Sequence, residues 1–473
     1  MHGCMVENCD SRPFSGYGSS LFLPFRNGTQ CSSHSINLHR PISEARHSML
    51  TIQSLREDKD RILQALRKRN LDASKTIDQI LQWDADRRKT QAELDELLAQ
   101  SNAMSKEIGA LMQAGKRDEA EKIKAQTAAF KSQTSDLKDQ MQSLEGQIHE
   151  ALCTLPNAPH NSVAAGRSAE DNEEIFRSGD ASTHAKHAKP HWDLAEELKL
   201  IDFELGAKVT GAGFPFYRGK GAKLQRGLIR YFLEMADKSG YEEFIPPHVI
   251  NADSGFGTGQ LPDKEGQMYH MPEDDLYMIP TAEVPLTNIY RDVMVKETDL
   301  PIKLCGYTPC FRREAGSYGK DVRGLNRLHQ FDKVEIVQIE HPDRSYATLE
   351  SMVDHVKSLL EDLELPYRIL RLCGGDMGFT SAMTYDFEVW SAAQERWLEV
   401  SSVSNFETYQ AHRLKCRYKG NDGKSHWVHT LNGSALALPR IVAALLENHQ
   451  DAKGIAIPSA LVPYCGFDRI DFA

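Results

Sequence analysis

Phe311-Arg312-Arg313-Glu314-Ala315-Gly316-Ser317-Tyr318-Gly319-Lys320-Asp321-Val322-Arg323-Gly324-Leu325-Asn326-Arg327-Leu328-His329-Gln330-Phe331-Asp332-Lys333-Val334-Glu335 decides how the globular part of this 473-residue chain is read. A β-like run enters, a glycine-rich basic loop turns, and a second β-like run leaves through Val334 to Ile339. An arginine near the end of the first strand can offer a two-pronged fork to phosphate or carboxylate, a task for which lysine is poorly shaped. Phe331 on the returning strand can stack on a flat base. Lys320, Arg323 and Arg327 lie where an RNA backbone could pass. From these residues alone, a nucleotide-binding hairpin and a solvated basic hairpin both stay open. No GxxxxGK[ST] loop and no GxGxxG turn follows a β-like run, so a nucleotide would have to be held by strand-borne side chains.

Around this hairpin, helices and short strands mix without regular alternation. An amphipathic run from Leu224 to Lys238 reads as helix, and Trp397 to Ser401 reads as strand. Gly211, Gly213, Gly219 and Gly221 read as turns. The expectation is an α+β fold, an antiparallel sheet flanked by helices, over residues 191–473.

Upstream, apolar or small residues recur in alternating steps of three and four: Leu94, Leu97, Ser101, Met104, Ile108 and Leu111. Gly115-Lys116-Arg117-Asp118 breaks the stripe. It resumes at Ile123, Thr127, Phe130, Thr134, Leu137, Met141, Leu144, Ile148, Ala151 and Leu155, until Pro156 and Pro159 stop it. Two long helices joined by so short a turn must run antiparallel, which predicts a projecting helical hairpin over 49–158. Heptads report packing and not purpose, so an arm for a partner and a dimerisation coiled coil both fit. Residues 159–190 read as a linker, and residues 1–48, rich in Ser, Gly, Pro and His with three acidic residues, as a disordered leader or an upstream misread start.

The net charge of -11 excludes a general basic coat for nucleic acid but leaves room for a local basic stripe. No apolar run approaches the roughly 20 residues of a membrane span. Nine scattered cysteines without a CxxC pair give no zinc or disulfide pattern, and a reducing cytoplasmic compartment is expected.

The quoted stretch resembles motif 2 of the class II aminoacyl-tRNA synthetases, in wording that is similar to the bacterial-type seryl-tRNA synthetases. Gly240-Tyr241-Glu242-Glu243-Phe244-Ile245-Pro246 resembles the end of motif 1, His429-Thr430-Leu431-Asn432-Gly433-Ser434-Ala435-Leu436-Ala437-Leu438-Pro439-Arg440 resembles motif 3, and Thr281-Ala282-Glu283 the serine-family TAE stretch. The likeness runs from Met49 to the C-terminus. Pro439 departs locally from the pattern and sets a helix start just before Arg440.

The resemblance implies ATP-dependent activation of L-serine and its transfer to tRNA(Ser), with selenocysteine tRNA as a further substrate. It implies Arg312 on the α-phosphate and on the serine carboxylate, Arg440 on the γ-phosphate of a bent ATP, Glu314 on the adenine amino group and Phe331 under the ring. Arg313, Val400 and Ser401 would join the ATP site, and Glu399 and Ser402 would hold Mg2+. Thr281, Ala282, Glu283, Glu335 and Ser434 would surround serine. It further implies a homodimer through motif 1 and a hairpin that grips the long variable arm of the tRNA. Candidate cations for that grip are Arg87, Arg88, Lys89, Lys116, Arg117, Lys122 and Lys124. Taken singly, plainer roles compete: Thr281 could cap a helix, Glu335 could pair along its strand, and Ser434 could close a turn beside Gly433. Two other functions also stay open, a related ligase that charges a carrier protein and a non-catalytic tRNA-binding relative.

Overall fold

The computed structural model describes residues 50–180, 188–263, 265–315 and 323–472, without the side chains of 125, 126, 128 and 129. The expected leader, 1–48, and the tip of the basic loop, including Lys320, lie outside the described residues.

Two short helices, α1 (Ile52–Glu57) and α2 (Lys59–Arg67), precede the two long ones, α3 (Ser74–Gln113) and α4 (Arg117–Thr154). At 1.5 Å per residue, the 40 residues of α3 reach about 60 Å. Every seam position read from the sequence is buried or half-buried, while its neighbours along the hairpin are mostly exposed. Two helices alone cannot cover a seam completely, so much of it is half-buried, and although Leu94, Ala120 and Met141 are buried farther along, the apolar cluster forms at the foot. There Leu55, Ile62, Leu66, Ile77, Ile80, Ile148 and Leu155 from all four helices and the chain just beyond α4 form a small core. The turn works because Gly115 takes a left-handed φ of 77°, and Asp118 and Glu119 suit the positive end of α4.

Eight strands build the main sheet: β1 (Glu173–Ser178), β2 (Glu242–Glu243), β3 (Ile302–Phe311), β4 (Gln330–Glu340), β5 (Tyr367–Arg371), β6 (Met383–Ser391), β7 (Arg396–Glu407) and β8 (His429–Ala437). Their order is β1-β5-β6-β7-β8-β4-β3-β2, antiparallel throughout except for β2 beside β3. Helices α5 (Gly219–Lys238), α6 (Glu283–Asn288), α7 (Ser345–Asp362), α8 (Tyr409–Leu414) and α9 (Leu438–Asn448) flank it. Strand periodicity divides the labour. Val334 and Ile336 point into the core with Leu228, Phe232, Met352, Phe387, Val403 and Ile441. Phe331, Lys333 and Glu335 alternate with them and face the other way.

Two expectations change. The stretch read as a linker contributes β1, an edge strand paired with β5, because Ile175 and Phe176 within its charged sequence pack on the core. The helix expected from Leu224 begins at Gly219, and Gly221 is a helical glycine rather than a turn: a Cβ there would lie 2.2 Å from the Leu200 carbonyl oxygen.

Candidate active site

A cavity of about 550 Å³ opens on the sheet face opposite the core. Of the residues that the resemblance assigns to the ATP and serine sites, Thr281, Glu283, Arg312, Glu314, Phe331, Glu335, Glu399, Val400, Ser401, Ser402, Ser434 and Arg440 line it, as does the loop cation Arg327. Two do not. Ala282 is fully buried against Leu286, Leu304 and Val337, because the turn before α6 sends its methyl into that cluster. Arg313 lies past the end of β3, and its guanidinium lies over the Tyr269 ring at 6.0 Å.

At the floor, Glu335 sits opposite Ser434 in the β4–β8 register and is fully buried. Its carboxylate accepts from Thr281 Oγ1 at 3.2 Å and Asn432 Nδ2 at 3.0 Å, and it pairs with the Lys333 ammonium. Glu283, at the start of α6, accepts from Gln410 Nε2 at 2.7 Å, whose Oε1 in turn accepts from Thr430 at 2.7 Å. Burial, and then the nearby Glu335 charge, push the Glu283 carboxyl from an ordinary 4.5 up to about 7. Glu335 is also raised by burial, against the opposing pull of Lys333. Two interacting buried carboxylates, with one buried ammonium paired to Glu335, leave a site that favours a small cation carrying a hydrogen-bond donor. The plainer roles hold in part: Thr281 Oγ1 also accepts from the Glu283 N–H at 3.2 Å, and Glu335 pairs along its strand. Ser434 sits within β8 and not in a turn.

Toward the rim the cavity is cationic. The Arg312 guanidinium covers the Phe331 ring at 5.1 Å and donates to the Pro280 carbonyl at 3.3 Å. Arg440 enters at the first turn of α9, where Pro439 fits because that position needs no N–H donor. It donates to the Glu399 carbonyl at 2.7 Å and to the Asn326 carbonyl at 3.1 Å. Glu314 has φ 48°, a left-handed turn that starts the loop, and accepts from Arg327 at 2.8 Å. Arg323 lies over Trp192 at 4.7 Å.

Glu399 and Ser402 are three apart on β7, a spacing that would set them on opposite faces of a regular strand. The register slips between Phe387 and Glu388 so that Val400 is the extra residue of a β-bulge, which returns both to one face. Beside them Asp386 pairs with Ser402, and its carboxyl is pushed well up by burial and by Glu399. Among the described residues no group of three His, Cys, Asp or Glu side chains converges as a metal cage. One exposed carboxylate, one hydroxyl and a buried acid with an unpartnered Oδ1 fit a Mg2+ ion that keeps waters and takes its other oxygens from phosphate.

Sequence reading gave no site role to Lys333, Asn432 or Gln410. Lys333 and Asn432 could have been found by strand parity, two residues from Glu335 and from Ser434. Gln410 comes from a distant helix and left no local signal. A further support is the fully buried His191–Glu447 pair. Glu447 accepts from His191 Nδ1 at 2.7 Å and from the His191 N–H at 3.1 Å, and Ser391 Oγ also donates to it. His191 Nε2 then accepts from the Leu325 N–H at 2.9 Å, which fixes the exit of the basic loop. Glu447→Ala leaves these donors unpaired, and a loss of about 3–5 kcal/mol in urea unfolding is expected.

Comparison with known proteins agrees with this architecture. Residues 49–159 match the family model for the seryl-tRNA synthetase N-terminal domain, and residues 268–449 that for the class II tRNA synthetase core domain (G, H, P, S and T). A serine-tRNA ligase of Salinibacter ruber is 52% identical over 424 residues, 89% of this chain and 99% of its own. One of Chlorobaculum parvum is 46% identical over 430 residues, 89% and 100%. The solved seryl-tRNA synthetase of Pyrococcus horikoshii complexed with ATP has a TM-score of 0.84 at 33% identity, covering 90% of this chain and all of that one (100%). With such identity along nearly its whole length, and with the hairpin, sheet and cavity in the same order, this chain belongs to the seryl-tRNA synthetase family of class II aminoacyl-tRNA synthetases.

Proposed function

We propose that the chain binds ATP and L-serine in this cavity, forms seryl-adenylate with release of pyrophosphate, and transfers the seryl group to tRNA(Ser). Residues 191–473 are the catalytic part and 49–158 the tRNA-binding arm. In the first step a serine carboxylate oxygen attacks the α-phosphorus and the bond to the pyrophosphate oxygen breaks. In the second, a ribose hydroxyl at the tRNA 3′ end attacks the seryl carbonyl and AMP leaves. No covalent enzyme intermediate is needed, so the protein supplies position and charge.

Arg312 holds the serine carboxylate against the α-phosphate and balances the charge that grows there. Arg440 holds the γ-phosphate, Glu314 accepts from the adenine amino group, and Phe331 supports the ring. Thr281, Glu283, Glu335 and Ser434 take the ammonium and the hydroxyl of serine. Alanine, which lacks the hydroxyl, would leave buried polar groups unpaired and be rejected strongly. Glu399 and Ser402 would hold Mg2+, which supplies positive charge to the phosphates when bound. The observation that carries this reading is the union in one cavity of a cationic rim, with Arg312 and Arg440, and a buried acidic floor, with Glu283 and Glu335.

On the arm, Arg117 and Lys122 are exposed cations, whereas Arg87 and Arg88 both pair with the buried Asp84 and serve the arm's own structure first. Selenocysteine tRNA would be a second substrate. A homodimer forms through α5 and β2, where Ile229, Leu233 and Tyr307 line an open groove and Ile245 is 87% exposed. A sedimentation mass of two chains is its test, and a single-chain mass would refute it. Among the described residues no helix is long and apolar enough to cross a membrane, and we assign the enzyme to the cytoplasm; fractionation of cells is the check.

Charging unfractionated tRNA with labelled serine tests the reaction. Label should be recovered in serine isoacceptors, and in selenocysteine tRNA where the source has one. Label transferred to a small carrier protein instead would favour the ligase alternative.

A further inference from the structure

Where the arm meets the catalytic part, Arg69, in the turn after α2, is half-buried with an unusual partner set. Its Nε donates to the Asn157 carbonyl at 2.8 Å, Nη1 to Met377 O at 3.0 Å, and Nη2 to Gly378 O at 3.1 Å and Ser381 O at 2.6 Å. All four acceptors are backbone carbonyls, and burial lowers its pKa to about 10. A guanidinium drawn partly out of water by four carbonyls and no carboxylate among its hydrogen-bond partners is costly to place, and a fixed fork of donors suits carbonyls of two separate segments at once.

The same contact is doubled from the other root of the arm. Asn157, fully buried just after α4, donates its N–H to Phe379 O at 2.9 Å and its Nδ2 to Thr380 O and Phe406 O, each at 2.9 Å. Gly374 admits the turn, since a Cβ there would lie 2.3 Å from Lys68 O. The 374–382 loop thus grips both roots of the hairpin, and a hairpin of about 60 Å magnifies any error of angle at its root into many ångströms at its tip.

We propose that Arg69 is a positioning residue for the transfer step: through the carbonyls of 377–381 and Asn157 it fixes the direction of the arm, and with it the delivery of the tRNA 3′ end. The proposal rests on the tRNA-binding reading of the arm. None of the residues that Arg69 touches lines the catalytic cavity, and Asn157 meets it only through the backbone carbonyl of Phe406, so adenylation does not depend on the Arg69 contacts.

The test compares wild type with Arg69→Met, which keeps the aliphatic stem, and with Asn157→Ala, in case the first variant fails to fold. Serine-dependent pyrophosphate exchange should stay within about twofold. The kcat/KM for full-length tRNA(Ser) should fall at least about tenfold. A minihelix that carries the acceptor stem but no long variable arm should be charged equally by wild type and variants. Equal losses on tRNA and minihelix, an equal loss of exchange, or no loss at all would each overturn the proposal. Absence of serine-dependent exchange in wild type would instead overturn the functional reading beneath it.

Discussion

Arg312→Ala should lower serine-dependent pyrophosphate exchange by at least about a hundredfold, and shift unfolding by about 1 kcal/mol. The asymmetry follows from where the side chain sits. It is half-buried at the cavity, not in the core, and without substrate it meets the Phe331 ring, makes one long bond to Pro280 O and adds a minor charge interaction with Glu283 and Glu335. Those contacts are worth little to the fold, whereas a preorganised fork beside the reacting phosphate acts where charge accumulates. Arg312→Lys should recover only a small part of the rate, since a point charge cannot hold carboxylate and phosphate together. Exchange kinetics and urea unfolding on the same preparations check both halves; normal exchange by Arg312→Ala would refute the role given to this residue.

Glu283→Gln should act in opposite directions on binding and on stability. Serine brings an ammonium and a donor hydroxyl, and loss of the carboxylate should raise the serine KM roughly ten- to a hundredfold. Yet the folded protein holds this carboxyl at about 7 against an ordinary 4.5, so between those values the folded state binds more protons than the unfolded one. Stability from this group is therefore full below pH 4.5 and lost as pH rises through 7. Glutamine removes the buried charge while it can keep a partner in Gln410. The variant should melt about 2–5 °C above wild type at pH 8, with the gap closing toward pH 4.5. In wild type the serine KM should rise as pH falls below about 7. A variant that melts lower than wild type at pH 8 would contradict the burial argument.

The sequence was most informative where a physical period repeats. The arm was legible to the residue because a seam at steps of three and four fixes which positions turn inward, and a glycine with positive φ marks the turn. The returning strand of the basic hairpin was legible for the same reason at period two: Phe331, Lys333 and Glu335 share a face. Periodicity broke down at the bulge, where Glu399 and Ser402 could be joined only through resemblance, since nothing local announces that Val400 is an extra residue. It also failed for groups delivered from far along the chain. Gln410 under Glu283, the His191–Glu447 pair beneath Leu325 and the Arg69 clamp are long-range partnerships, invisible until the fold brings them together. The edge strand β1 was missed because its charged flanks outweighed Ile175 and Phe176, a two-residue apolar signal that only the neighbouring strand makes meaningful.

The central claim is that this cavity joins serine to AMP. Pyrophosphate exchange into ATP, run with all twenty amino acids in parallel, tests it most directly: serine alone should support exchange, and alanine, threonine and glycine should remain far below it. Exchange with a different amino acid, or silence in every well, would contradict the account.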